Sequence, residues 1–392
     1  ILHALRHALQ EGRDFARQNL EAKKFKGARC AEYVSALQDD VLAALAEFVE
    51  TDILYLANPT DAEKVTMVAV GGYGRGRLAP GSDIDLLFLL PYKRTAASES
   101  FVEYILYMLW DLGLKVGHAT RSVHDCVAQA QKDMTVRTSM LENRFLWGAA
   151  ALYDDFRAAF ANKVMRGTAR EFVVAKLEER DLRHERTGRS RYLVEPNLKE
   201  SKGGLRDLNT LFWIARYSYQ IDKLDDLVAL GVLTEDELKL FRKCDGFLWE
   251  VRCHLHFLTG RAEERLSFDV QKPLAAFFYP SESDMAQAAQ DEKAGMKPVE
   301  KFMRRYFLVA KNIGDLTAIF CASLEEAQAK PRALRRLPAL FQRQKHVSGF
   351  TIGAGRLQMS AADVFEQDPV NLIRVFQLAD RYALDIHPDT MR

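Results

Sequence analysis

The chain has 392 residues, with 55 Lys and Arg against 54 Asp and Glu and a formal net charge of +1. Its length suggests two or three domains, and 48% apolar residues are ordinary for globular proteins. The near-zero charge argues against a dedicated nucleic-acid binder, and no apolar run approaches the roughly 20 residues of a membrane helix. Five cysteines without a CxxC pair predict neither a disulfide framework nor a zinc site and are typical of the reducing cytoplasm.

The N-terminal segment, residues 1–60, is predicted to be helical. Leucines 2, 5 and 9 recur at helical spacing, and a second run of apolar residues between 34 and 49 does the same. Lys26-Gly27 lies between the two runs and predicts a break. Two helices therefore precede the first strand.

Short strands dominate the next segment, residues 61–150. Val65–Val70 and Ile84–Leu90 are predicted strands, Phe101–Leu112 is a predicted amphipathic helix, and Leu114–Thr120 a third strand. This order indicates a small core with a mixed sheet.

The pattern is helical over residues 151–330, most clearly at Leu205–Tyr219, Leu238–Phe257 and Val299–Phe320. A proline-rich segment then marks a boundary before residues 331–392. The predicted fold class is α+β: a small mixed-sheet core, a predominantly helical second domain and a helical N-terminal segment.

Two acids carry the strongest chemical signal. Asp83 and Asp85 lie at i and i+2 on a predicted strand, so their side chains point to the same side of it. Two adjacent carboxylates repel each other unless a cation lies between them, and Mg²⁺ prefers such oxygen ligands together with substrate phosphates. Asp83 and Asp85 are therefore the predicted catalytic and metal-binding residues.

A glycine-rich stretch precedes these acids. Gly71 and Gly72 follow a strand, where backbone N–H groups without a neighbouring Cβ approach phosphate oxygens closely. Arg75 adds positive charge, and Ser82 adds a donor beside the acids. We predict that these four residues bind nucleotide. Tyr73 between them fits either stacking on a base or local packing.

The strand, Gly-Gly and Asp-Ile-Asp pattern resembles the nucleotidyltransferase superfamily related to β-type DNA polymerases. Gly71-Gly-Tyr-Gly-Arg-Gly-Arg-Leu-Ala-Pro-Gly-Ser-Asp-Ile-Asp-Leu86 is similar to the PII uridylyltransferase family of nitrogen regulation. So are Leu109-Trp-Asp-Leu-Gly-Leu-Lys-Val-Gly-His118, Glu195-Pro-Asn-Leu-Lys-Glu-Ser-Lys-Gly-Gly-Leu-Arg-Asp207 and Val299-Glu-Lys-Phe-Met-Arg-Arg-Tyr-Phe307. The similarity covers essentially the whole chain.

This resemblance implies an enzyme that transfers UMP from UTP to a tyrosine of the PII signal protein and releases pyrophosphate, with Mg²⁺ or Mn²⁺. Family members usually continue into a hydrolase domain that removes UMP and into glutamine-sensing domains. We expect this chain to be the transferase portion alone, with residues 331–392 leading toward an absent hydrolase domain.

The resemblance has one departure. Superfamily members usually carry a third carboxylate on the strand after the helix, but the predicted strand Leu114–Thr120 has no acid. Either two aspartates suffice, or His118, Asp125 or Glu142 contributes.

A second anion site is predicted beside the helix that starts at Leu205. Lys199, Lys202, Gly203, Gly204 and Arg206 combine basic side chains with a turn into a helix N-terminus. The functional interpretation is triphosphate binding, and the alternative is an interdomain turn with solvated lysines. A nearby basic stretch, with acids interspersed, fits either contact with the partner protein or UTP, or a solvated helix and loop, and the mixed charges favour the second. Its residues are Arg183, His184, Arg186, Arg189 and Arg191.

Two other functions remain open on the sequence. One is transfer of a different nucleotide, such as AMP to a protein, by the same fold. The other is a non-catalytic nucleotide-binding regulatory module, which the missing third acid favours. The residues alone do not distinguish uracil from adenine.

Overall fold

A computed structural model describes residues 1–55, 60–188, 190–280, 296–333, 345–347, 349–353, 356–361, 363–382, 384–386 and 390. The chain forms two compact units. The first comprises residues 1–224 and 239–313, and the second comprises residues 225–238 and 314–392.

Two long helices open the first unit, as predicted. Helix α1 spans Leu2–Glu21, and α2 spans Gly27–Phe48 and runs into a π-helical turn at Val49–Ile53. The break before Gly27 is confirmed. A Cβ at Gly27 would lie 1.9 Å from the backbone nitrogen of Glu250, so glycine lets the start of α2 touch another backbone there.

A four-stranded sheet forms the centre of the first unit. Its strands are β1 (Thr66–Val70), β2 (Ile84–Leu90), β3 (Val116–Ser122) and β4 (Asn143–Gly148). The order is β3-β2-β1-β4, in which β2 and β3 are parallel and the other pairs antiparallel. The first two strands match the prediction, whereas β3 starts and ends two residues later than predicted. The predicted α+β class with a small mixed sheet is confirmed.

The sequence did not predict β4. Its sequence, Asn-Arg-Phe-Leu-Trp-Gly, has no apolar–polar alternation, and its first five residues are all partly buried. The period of two that identifies a strand with one solvated face is therefore missing.

The remaining helices are α3 (Gly71–Gly74), α4 (Ala96–Asp111), α5 (Val123–Lys132), α6 (Met134–Leu141), α7 (Ala150–Phe160), α8 (Ala169–Arg186), α9 (Leu205–Tyr219), α10 (Asp226–Ala229), α11 (Glu235–Thr259), α12 (Phe268–Phe278), α13 (Pro298–Ala333), α14 (Val364–Gln367) and α15 (Asn371–Tyr382). Turns of 3-10 and π helix lie at Asp61–Glu63 and Ala161–Met165.

One hydrophobic core joins the sheet to the helices that follow it. Val68 of β1 and Leu87 of β2 share a buried cluster with Phe156 of α7, Phe172 of α8 and Tyr217 of α9. The rings of Phe172 and Tyr217 stack with their centroids 3.9 Å apart. This packing fixes α8 and α9 relative to the strands that carry the predicted acids.

The second unit contains another small sheet, which the sequence did not predict. Strands β5 (Lys345–Val347), β6 (Phe350–Gly353), β7 (Arg356–Met359) and β8 (Asp385–Ile386) lie in that order. They have only two to four residues each, too few for alternation to be recognised. Among the residues that the structure describes, no helix has the length and apolar character needed to cross a membrane.

Candidate active site

A cavity of about 1280 Å³ lies at the start of β2 in the first unit. Its wall combines the loop around α3, strands β2 and β3, and parts of α6, α8, α9 and α11. Eight predicted site residues line it: Gly71, Gly72, Arg75, Ser82, Asp83, Asp85, Lys199 and Arg206. Lys202, Gly203 and Gly204 are not among the lining residues.

The two acids share this cavity with a half-buried lysine, Lys199. Burial and then the charge of Asp83 raise the pKa of Asp85, while Lys199 opposes that rise. Burial lowers the pKa of Lys199, and the charges of Arg206 and Arg252 lower it further. Adjacent carboxylates that resist ionisation together are stabilised by a cation between them.

Two glycines surround the Asp85 carboxylate. Gly117 is paired with Asp85 across β2 and β3, and a Cβ at Gly117 would lie 2.4 Å from Oδ1 of Asp85. A Cβ at Gly71 would lie 3.2 Å from Oδ2, and Gly71 has a φ of +60°, which favours glycine. The carboxylate is therefore held in a cradle that side chains would fill. Oxygen ligands of this kind suit a divalent cation.

The predicted glycine turn is the short helix α3. Gly72 is exposed and lines the cavity, and no atom outside its own turn lies within 4 Å of its ideal Cβ position, so the side of the turn at Gly72 is open. Tyr73 is only 1% exposed and donates a hydrogen bond to Asp39. Arg144 lies over its ring. The packing role of Tyr73 is therefore correct, and the base-stacking role is wrong.

Arg75 lines the cavity but is already paired. Its Nε lies 2.7 Å from Oε1 of Glu142, which is 1% exposed, and its Nη1 donates to Asn209 of α9. The side chain thus links the loop after α3 to the end of α6 and to α9. Its charge is shared with Glu142, which leaves Lys199 as the less compensated cation near Asp85.

The three candidates for a third metal ligand differ in placement. His118 lines the cavity. Glu142 also lines the cavity, but its carboxylate is paired with Arg75. Asp125 does not line it and instead caps α5 by exchanging hydrogen bonds with Ser122. Within the described part of the chain, no group of three or more His, Cys, Asp or Glu side chains is placed to hold a metal ion.

The chain matches two known families. The one described as a nucleotidyltransferase domain matches residues 57–137, and the one described as GlnD PII-uridylyltransferase matches residues 171–321. Asp83 and Asp85 lie in the first match, and Lys199 and Arg206 lie in the second.

Three curated relatives are named bifunctional uridylyltransferase/uridylyl-removing enzyme. Those of Nitrobacter hamburgensis and Nitrobacter winogradskyi are 50% and 49% identical over 399 and 398 residues and match 100% of the chain. That of Bradyrhizobium diazoefficiens is 50% identical over 385 residues, 96% of the chain. The chain belongs to the PII uridylyltransferase family. It spans about two fifths of the relatives' length, 42%, 42% and 40%.

The Gly-Gly turn of the second predicted site is closely packed against neighbouring backbone. The N–H of Gly203 donates to Oδ2 of Asp207 over 2.8 Å, and a Cβ there would lie 2.5 Å from the carbonyl oxygen of Ala310. A Cβ at Gly204 would lie 2.7 Å from the carbonyl oxygen of Leu198. The two glycines permit this close packing but do not line the cavity. Lys199, in the same loop, does line it.

Asp207 contacts two residues of the basic stretch that was predicted to be solvated. It is 3% exposed and lies 2.9 Å from Nε2 of His184, and Arg183 donates to it as well. Burial would raise the pKa of Asp207, but these partners and the N–H of Gly203 together lower it. For Arg183 and His184 the solvated interpretation is wrong, because both contact a buried carboxylate. Arg189 of the same stretch lies outside the described residues.

Three further residues that line the cavity, Gly117, Arg252 and Glu264, were not predicted from the sequence. A glycine inside a strand is a known signal of close approach by another group, so Gly117 had a local signature. Arg252 and Glu264 had none, since they follow the acids by some 170 residues in a helical region.

Proposed function

We propose that the chain transfers UMP from UTP to a tyrosine of the PII protein and releases pyrophosphate, with Mg²⁺ or Mn²⁺. One observation carries this proposal: Asp83 and Asp85 share a cavity with Lys199 and the open backbone of Gly72, in a chain about half identical to named uridylyltransferases. Its five cysteines are free thiols, which fits the cytoplasm that we propose as its location.

In the proposed reaction, the tyrosine oxygen bonds to the α-phosphorus of UTP and its hydroxyl proton passes to solvent. The bond from that phosphorus to the oxygen that bridges it to the β-phosphorus breaks, and pyrophosphate leaves with the bonding electrons. A divalent cation, when bound, would stabilise the charge on the transferring and departing phosphates. Asp83 and Asp85 would hold it, Lys199 would contact the triphosphate, and Gly71, Gly72 and Ser82 would donate to phosphate oxygens. Positioning and electrostatic stabilisation are the main requirements of such a transfer.

Lys199 has a physical reason to bind phosphate. The side chain is half-buried, and this partial burial together with the charges of Arg206 and Arg252 lowers its pKa. A triphosphate would supply the negative charge that favours the ammonium form, through charge-assisted hydrogen bonds. Arg206, which lines the same wall and pairs with Glu200 at 3.1 Å, would add a second positive group.

The test incubates the chain with PII, Mg²⁺ and UTP labelled at the α-phosphate, and detects label on PII. Unlabelled UTP, ATP, CTP and GTP then compete in separate reactions. We expect label on a PII tyrosine and competition chiefly by UTP. Preferential use of ATP, or nucleotide binding without transfer under Mg²⁺ and Mn²⁺, would contradict the proposal.

A further inference from the structure

The turn before the two aspartates is held by residues that lie far from it along the chain. A Cβ at Gly81 would lie 2.8 Å from the backbone nitrogen of Ala262, so this turn packs against the segment that follows α11. The N–H of Gly81 donates to Nδ1 of His256 over 3.1 Å. The backbone two residues before Asp83 is therefore fixed by α11 and the segment after it.

A buried ion pair extends this contact. Arg252 of α11 donates from Nε to both carboxylate oxygens of Glu264, over 2.8 and 3.0 Å, and from Nη2 to Oε1 over 2.5 Å. The same Nη2 lies 3.2 Å from Oγ of Ser82, the residue before Asp83. Burial would raise the pKa of Glu264, but the neighbouring His256 and Arg252 lower it to about 2, so the pair stays ionised.

Glu264 reaches the phosphate-facing lysine as well. Its carbonyl oxygen accepts a hydrogen bond from the N–H of Leu198 over 2.7 Å, directly before Lys199. Its neighbour Arg265 forms a β-bridge with Asn197. A single residue thus connects the acid-bearing turn, through Arg252, with the loop that presents Lys199.

We propose that Arg252 and Glu264 form a positioning clamp that sets Asp83 and Lys199 at the spacing required by a metal-bound nucleoside triphosphate. This inference rests on the proposed function, because it assigns the clamp to that same site. No sequence pattern predicted either residue. Arg252 would act on Asp83 through Ser82, and Glu264 would act on Lys199 through Leu198. A displacement of about 1 Å at a reacting centre costs about a hundredfold in rate, so such spacing has large consequences.

A lysine cannot reproduce the planar guanidinium of Arg252, which carries several N–H donors in a fixed arrangement. Its guanidinium contacts Glu264 through two nitrogens and Ser82 at the same time, whereas an ammonium group is a single point. Arg252→Lys therefore retains the positive charge of the cavity wall but releases the turn. This separates positioning from direct neutralisation of phosphate charge.

The experiment measures binding of Mn²⁺ with α,β-imido-UTP by calorimetry, the KM for UTP and the thermal unfolding midpoint. It compares Arg252→Lys and Glu264→Gln in this chain. The matched control is Arg137→Lys, since Arg137 is 4% exposed and pairs with Glu171 at 3.0 Å but does not line the cavity.

We expect both clamp variants to weaken nucleotide binding and raise the KM for UTP by about tenfold. Arg137→Lys should lower the unfolding midpoint comparably but leave both constants unchanged. Unchanged nucleotide binding by Arg252→Lys would overturn the proposal of a clamp. If Arg252→Lys does not fold, unchanged nucleotide binding by Glu264→Gln would overturn it instead. Weakened analogue binding in a chain that transfers no UMP would support the clamp and overturn the proposed function instead.

Discussion

Substitution of Gly117 by alanine tests whether the placement of Asp85 matters more than its presence. The new methyl group would lie 2.4 Å from Oδ1 of Asp85, whereas ordinary contacts begin near 3.4 Å. The carboxylate must therefore move by about 1 Å. Gly71, whose ideal Cβ position is 3.2 Å from Oδ2, limits movement on the other side.

The fold should tolerate this substitution. The clash involves only the end of a side chain, and Gly117 lacks the positive φ that disfavours alanine. A misplacement of about 1 Å costs about a hundredfold in rate, which corresponds to about 2.7 kcal/mol of transition-state stabilisation. Mg²⁺ adds to this sensitivity because it demands near-ideal ligand geometry.

The assay is kcat/KM for UMP transfer to PII, together with the thermal unfolding midpoint. Gly246→Ala is the matched control, because Gly246 lies within α11 and no atom lies within 4 Å of its ideal Cβ position. We expect kcat/KM of Gly117→Ala to fall about a hundredfold while its thermal unfolding midpoint stays nearly unchanged. Gly246→Ala should retain full activity. A kcat/KM of Gly117→Ala within threefold of wild type would refute the claim that Gly117 and Gly71 fix the position of the Asp85 carboxylate.

Three further predictions follow from the same geometry. Lys199→Met should raise the KM for UTP by about tenfold, while Lys202→Met, outside the cavity lining, should change it less than twofold in the same initial-rate assay. Asp207→Asn should lower the free energy of unfolding in urea by about 3–5 kcal/mol, because it removes the buried carboxylate that pairs with Arg183, whose side chain is only 11% exposed. Asp222→Asn, in an exposed pair, should cost less than about 1 kcal/mol. Because burial and Asp83 raise the pKa of Asp85, its carboxylate is protonated at a higher pH than an ordinary Asp. The Mg²⁺ concentration for half-maximal activity should therefore increase as the pH falls through that raised pKa, and Mg²⁺ titrations at several pH values measure this.

The parts of the site that the sequence revealed are those encoded by adjacent residues. Gly71, Gly72, Asp83 and Asp85 lie within one strand–loop–strand segment, so their spacing along the chain already places them together. The structure confirms that they line one cavity. Their predicted roles in binding nucleotide and metal remain proposals.

The sequence was less informative where long-range packing determines a side chain's environment. Tyr73 is held by Asp39, which precedes it by 34 residues, and Ser82 meets Arg252 across 170 residues. No periodicity within a helix signals such contacts. The second predicted site shows the same limit, because only the folded loop separates Lys199, at the cavity, from Lys202, outside its lining.

The most direct test of the account is transfer of labelled UMP to PII by Asp83→Asn and Asp85→Asn, measured across Mg²⁺ and Mn²⁺ concentrations. Asn preserves the size of each side chain but removes the charge that would hold the cation. We predict that both variants fold and that transfer falls by at least about a thousandfold at every metal concentration. Transfer at the wild-type rate by either variant would contradict the assignment of this aspartate pair as the metal-binding centre.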